Sequence, residues 1–152
     1  IRVFEVLDAA DKHVGLFYFD PFARQGKRSG AWMANYRPQN NLDGDVRPQV
    51  VNNLNVPKPP AGKPALISLT EATTLFHELG HGLHGLLSNV KYPSLSGTAV
   101  PRDYVEFPAQ FMEHYVLQPT ILREFARHVE TGEVISDELI DKLIKAETFN
   151  QG

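Results

Sequence analysis

Cysteine is absent from the 152-residue chain, which excludes disulfide frameworks, cysteine-ligated zinc fingers and iron–sulfur clusters, and thiol nucleophiles. Six histidines remain as the soft ligands for a metal. An excess of basic charge is missing too. The 15 Lys and Arg stand against 18 Asp and Glu, a formal charge of −3, so no basic face is available to neutralise a run of phosphates and no nucleic-acid partner is expected. Nowhere do about 18 apolar residues follow one another, and no charged-then-apolar leader opens the sequence, so neither a membrane span nor a secretion signal is expected. A chain of this size can bury roughly 68–70% of the surface its unfolded form exposes, enough for one domain with its own core. It opens in mid-pattern, on Ile1 to Leu7 without an initiator Met, and stops at Asn150-Gln151-Gly152 straight after a helical pattern. The expectation is a piece of a longer protein.

Two periodicities divide the chain, and together they predict an α+β fold. Residues 1–60 read as a small antiparallel sheet, with strands at 1–7, 14–19, 31–36 and 49–55. The basic, Gly-containing loop 24–30 reads as a solvated turn rather than an anion site. The Asn side chains of 49–55 suggest an edge strand, open to pairing with an extended peptide. Behind the stiff Pro-rich linker 57–64, residues 65–152 follow a helical period. Ser68-Leu69-Thr70-Glu71 has the form of a capping box, predicting a helix from Leu69 to Leu87 with Leu75, Leu79, Leu83 and Leu86 on its apolar face. After a loop at 88–101, residues 103–117 are helical, with Pro108 tolerable in the first turn. Residues 119–128 and 136–149 then make a helical hairpin.

The strongest chemical signal is His77-Glu78-Leu79-Gly80-His81, an H-E-x-x-H on a predicted helix. Residues four apart on a helix differ by about 40° around the axis and about 6 Å along it, so two imidazoles can converge on one ion at zinc–nitrogen distances of about 2.0–2.1 Å. Glu78, roughly 100° around from His77, can reach a water on that ion without being a ligand, the position of a general base. A catalytic zinc needs a third protein ligand and an open position. The pattern H-E-x-x-H-x-x-G-x-x-H would supply a third His, but positions 84 and 87 hold His84 and Leu87, so that class fails. A carboxylate on a second helix remains, and Asp103, Glu106 and Glu113 are the candidates, Glu106 falling in the first turn, 25 residues after His81.

The stretch from Phe76 to His84, followed by Ser96-Gly97-Thr98-Ala99-Val100-Pro101-Arg102-Asp103-Tyr104-Val105-Glu106-Phe107-Pro108-Ala109-Gln110, resembles the thimet oligopeptidase family of zinc metallopeptidases. Its Pro-Arg-Asp-Tyr-Val-Glu-Phe-Pro segment is most similar to the bacterial peptidyl-dipeptidase branch, and residues 15–20 and 30–32 resemble what precedes that family's zinc helix. The resemblance implies a zincin-like fold and one Zn²⁺ per chain held by His77, His81 and Glu106, with Glu78 as base. It also implies zinc-dependent hydrolysis of short peptides, by oligopeptidase or peptidyl-dipeptidase action. On that reading residues 1–152 are the central part of a metallopeptidase catalytic domain, with the sheet at 1–60 and the zinc-bearing helices at 65–152. The remaining segments of the full-length peptidase are its partners, and its location is cytoplasmic, with the periplasm as the alternative. The family's oxyanion-binding Tyr and His lie in a downstream stretch not present here, so a folded zinc-binding fragment without turnover is the alternative function. Ala109 stands where Ser is common in the family.

Other residues carry more ordinary expectations. His84, one turn past His81, would close the site if it were a fourth ligand, and reads instead as a packing or supporting residue. His114 reads as helix surface, Tyr104 and Arg102 as packing or ion pairing, and Trp32 and the sheet Phe residues as core. Gln110, one turn after Glu106, is placed to orient a ligand by hydrogen bonding, and Glu113, two turns on, less well so. A structural zinc module with four protein ligands is the rival class, and Glu78 argues against it because such a site needs no base.

Overall fold

The computed structural model describes residues 1–148, which fall into two compact units, Ile1–Glu113 and a second beginning at His114. Four strands form one sheet: β1 (Arg2–Leu7), β2 (His13–Phe22), β3 (Trp32–Arg37) and β4 (Gln49–Val56). Each lies where alternation and β-branched or aromatic content put it. Their spatial order is β1-β2-β4-β3, with β1–β2 and β3–β4 antiparallel but β2–β4 parallel. The sheet is therefore mixed, not antiparallel. Successive strands do reverse direction along the chain, as a meander would; what departs from a meander is that β4 inserts between β2 and β3 instead of adding outside β3.

That insertion overturns the reading of residues 49–55 as an edge. Strand β4 is central, and Val50, Val51, Leu54 and Val56 are core residues. Its Asn side chains serve the interior: Asn52 and Asn53 are buried, and Asn55 Nδ2 donates to the carbonyls of Arg28 and Gly30 at 2.8 and 2.7 Å. The 24–30 loop is correspondingly not a freely solvated turn. Lys27, 3% exposed, donates from Nζ to the carbonyls of Asp20 (2.7 Å), Phe22 (3.0 Å) and Leu54 (2.5 Å) and lies 3.2 Å from the Asp20 carboxylate, which also accepts from Arg24 at 2.7 Å. A buried cation satisfied by three carbonyls and a carboxylate ties β2, the loop and β4 together.

Helix α1 (Leu69–Leu86) begins as its capping box predicts. The Glu71 amide donates to Ser68 Oγ at 3.2 Å, and the Ser68 amide donates to Glu71 Oε2 at 2.7 Å. Its buried face takes only Leu86 from the leucine stripe. Ala72, Glu78, Gly80, Gly82, Gly85 and Leu86 are buried, whereas Leu75, Leu79 and Leu83 are half-buried. Small residues win because the helix lies close on the sheet: a Cβ on Gly85 would meet Met33, Asn35 and Val50 side-chain atoms at 2.8–2.9 Å. Beyond a short 3₁₀ turn at Pro93–Leu95 comes α2 (Phe107–Val116), later than the predicted start at 103, with Pro108 in its first turn.

In the second unit, α3 (Pro119–Phe125) and α4 (Asp137–Thr148) form the expected hairpin, joined by an Arg123–Asp137 ion pair at 2.7 Å. Helix α3 stops short of residue 128 because the Arg127–Val134 bridge takes the chain into extended pairing. The expected last residue of α4, Phe149, lies outside the described residues. Among the described residues no helix is long and apolar enough to cross a membrane.

Candidate metal centre

Helical spacing brings His77 and His81 together on α1, their ring centroids 4.8 Å apart and their planes 84° from parallel. Glu106 immediately precedes α2, and its backbone is fixed at both sides. Its carbonyl accepts the Gln110 amide at 2.8 Å, while the Phe107 amide donates to Tyr104 and the Val105 amide to Pro101. From that position Glu106 Oε2 lies 3.3 Å from His77 Nε2 and 3.2 Å from His81 Nε2. Ligand atoms on a tetrahedral ion at about 2.0–2.1 Å are separated by about 3.3–3.4 Å along each tetrahedron edge. Two edges of the triangle thus already have the size a zinc ion requires, and one donor atom from each of the three residues falls within 4.8 Å of the others. Asp103 and His84 are not in this cluster.

The ring of His77 is oriented from behind. Its Nδ1 pairs with Glu113 Oε1 at 2.6 Å, and an Nδ1–H donated to that carboxylate leaves the Nε2 lone pair facing Glu106 and His81. The sequence ranked Gln110 above Glu113 for this task; Gln110 is exposed, and Glu113 makes the contact. The only hint in sequence was helical phase, since residues 106, 110 and 113 share one face but the crossing with α1 decides which of them reaches a histidine.

Glu78 is 6% exposed, and its Oε2 has no hydrogen-bond partner among the described residues. Burial is the main cause that raises its carboxyl above the ordinary glutamate value; the His77 charge opposes this, the Glu106 carboxylate adds to it, and the Met33 backbone amide opposes it. Burial likewise lowers His81, with Glu106 acting to raise it and His77 to lower it further, so the neutral, metal-ligating form of His81 is favoured. His84 is also lowered by burial. It faces the ring of Tyr104 at 6.3 Å and lines a separate, largely apolar groove, in keeping with a packing role. Tyr104 continues into a stack with Phe107 at 5.6 Å.

His77, Glu78, His81 and Glu106 line a cleft of about 360 Å³ together with Ala31, Trp32, Met33, Thr98 and Val105. Trp32 was expected in the core but forms a wall of this cleft, with the Arg28 guanidinium 4.4 Å from its ring centroid. Strand β3, which carries Trp32 and Met33, is the sheet edge beside the cluster, and among the described residues no strand pairs with its outer side. The donor set of two imidazoles and one carboxylate, with a buried, unpartnered carboxylate beside it, suits a catalytic rather than a structural metal ion.

Comparison with known proteins identifies the family. The family model described as Peptidase family M3 matches residues 1–152. Dipeptidyl carboxypeptidases from Salmonella typhimurium and Escherichia coli are each 45% identical to the chain over 152 residues, covering all of it and 22% of their own length. Oligopeptidase A from Escherichia coli is 41% identical, covering 98% of this chain and 22% of its own length. The chain therefore spans about a fifth of the length of these curated relatives. With a family match along its whole length and the cluster at its centre, the chain belongs to peptidase family M3.

Proposed function

We propose that this chain is the metal-binding part of a zincin-like catalytic domain that hydrolyses short peptides, with His77, His81 and Glu106 as zinc ligands and Glu78 as general base. The observation that carries the reading is the pair of 3.2 and 3.3 Å separations between the histidine Nε2 atoms and one Glu106 oxygen, the size of a tetrahedral zinc site. Zinc, when bound, supplies Lewis acidity that acidifies a water molecule and polarises a carbonyl. The chain's own residues supply the rest. Glu78 Oε2 is the free buried acceptor beside the ligands, so it takes the water's proton and returns it to the leaving amine.

The extended substrate is held by backbone pairing along the outer side of β3, not along β4 as the Asn-rich sequence suggests, because β4 has neighbours on both sides. Names of the relatives support peptide substrates: dipeptidyl carboxypeptidase and oligopeptidase A. The chain spans 22% of the length of those relatives, so the activity proposed is that of the protein at its natural length. The test uses the protein at its natural length. The variant Glu78→Gln keeps its zinc and loses cleavage of a fluorogenic peptide, and a Glu78→Gln variant that cleaves at the wild-type rate would refute the assignment.

A further inference from the structure

Helix α1 contains a glycine that its own conformation does not require. Glycine in a helix interior is destabilising relative to alanine. Unlike Gly26, Gly30 or Gly62, Gly80 has no positive φ to justify it. Its reason is contact. A Cβ at Gly80 would lie 2.4 Å from the Pro108 carbonyl oxygen, 2.5 Å from Ala109 Cα and 2.9 Å from Ala109 N. All three are backbone atoms, which cannot rotate aside as a side chain would. At Gly82 the nearest atoms are side-chain atoms of Asn52 and Phe17, at 3.2 and 3.3 Å, a far milder approach.

We propose that Gly80 is a positioning residue for the metal centre: its missing side chain seats the Pro108-Ala109 backbone against α1, and that seating sets where Glu106 presents its carboxylate to His77 and His81. The proposal rests on the zinc reading above. Its force comes from magnitudes. Relieving a 2.4 Å contact to beyond 3.0 Å moves the Pro108 backbone by roughly half an ångström or more, whereas a metal–ligand distance tolerates about ±0.2 Å. Glu106 is two residues from Pro108 and moves with it, since the Gln110 amide holds the Glu106 carbonyl at 2.8 Å in the same turn. The pair of histidines stays behind on α1, so the three-residue cluster opens on the Glu106 side.

The experiment is a zinc titration against a competing chelator on the natural-length protein and its variants, with thermal melts of the metal-free forms. Gly80→Ala is expected to lower zinc affinity about 10–100-fold, the range seen when a ligand's supporting contacts are removed, and to lower the melting temperature. Gly82→Ala is expected to leave affinity unchanged. In a Glu106→Gln background, adding Gly80→Ala is expected to change affinity no further, because Gly80 acts through Glu106. Unchanged affinity in Gly80→Ala, or a raised melting temperature as for an unobstructed helix, overturns the proposal. Should Gly80→Ala not fold, Ala109→Val enlarges a residue with 0% exposure whose backbone N and Cα make the tight approach to Gly80, and retained affinity there overturns the proposal equally. A wild-type protein that binds no zinc, or a Glu106→Gln variant that binds as tightly as wild type, defeats the zinc reading instead.

Discussion

Replacing Glu113 separates orientation of a ligand from the stability of the fold. Glu113 Oε1 is 2.6 Å from His77 Nδ1, and the two side chains are 36% and 27% exposed. A polar pair that open to water contributes about 0–1 kcal/mol to stability, so Glu113→Ala is expected to leave the melting temperature of the metal-free protein nearly unchanged. Its effect on the metal is larger. Without the carboxylate, the His77 ring is free to rotate and to place its proton on Nε2, the nitrogen that faces Glu106 and His81. Loss of such a partner costs about 10–100-fold in metal affinity, or about 1.4–2.7 kcal/mol. Glu113→Gln keeps an acceptor at the same reach and is expected to fall between wild type and Glu113→Ala. The assay is competition for Zn²⁺ against a chromophoric chelator, paired with melts of the metal-free proteins. Affinity unchanged in both variants would refute the orienting role, and a collapse in metal-free stability would show that Glu113 is a structural residue first.

Two further expectations concern the part of the molecule that carries the site. Lys27→Met removes the buried cation that three carbonyls and Asp20 share, leaving the 6%-exposed Asp20 carboxylate with Arg24 alone; a loss of about 3–5 kcal/mol in unfolding free energy is expected by denaturant titration. Asp20 itself predicts an acid limb: burial acts to raise its pKa, but hydrogen bonds from Arg24 and Lys27 outweigh it and hold the carboxyl below the ordinary aspartate value. A depressed folded pKa contributes stability that is complete above the unfolded value of about 3.9 and is lost as pH falls through the folded value, so Asp20→Asn should flatten that part of the stability-against-pH curve. An unchanged acid limb in Asp20→Asn would remove Asp20 from the account.

What could be read from sequence was local, and what could not was set by contacts across the fold. Ser68 and Glu71 announce the start of α1 because both halves of a capping box lie within four residues. The four strands are visible in their alternation. The insertion of β4 between β2 and β3 is not, since it depends on where a long connection lets the strand return; the buried Asn52 and Asn53 looked like edge residues for that reason. Likewise H-E-x-x-H marks His77, Glu78 and His81 as candidates from helix geometry alone, and the resemblance implies Glu106 among three carboxylates. The preference of the fold for Glu113 over Gln110, the exposure of Trp32 to the cleft and the tight seat at Gly80 all depend on the α1–α2 and α1–β3 packing, which no local pattern encodes.

The central claim is that three side chains hold one zinc ion with room left for a water molecule. The most direct measurement is a crystal structure of the zinc-loaded protein with anomalous diffraction recorded at the zinc edge. The account predicts one anomalous peak per chain, about 2.0–2.2 Å from His77 Nε2, His81 Nε2 and a Glu106 oxygen, with Glu78 outside bonding distance. A peak that lies elsewhere, or one closed by His84 as a fourth protein ligand, would contradict it.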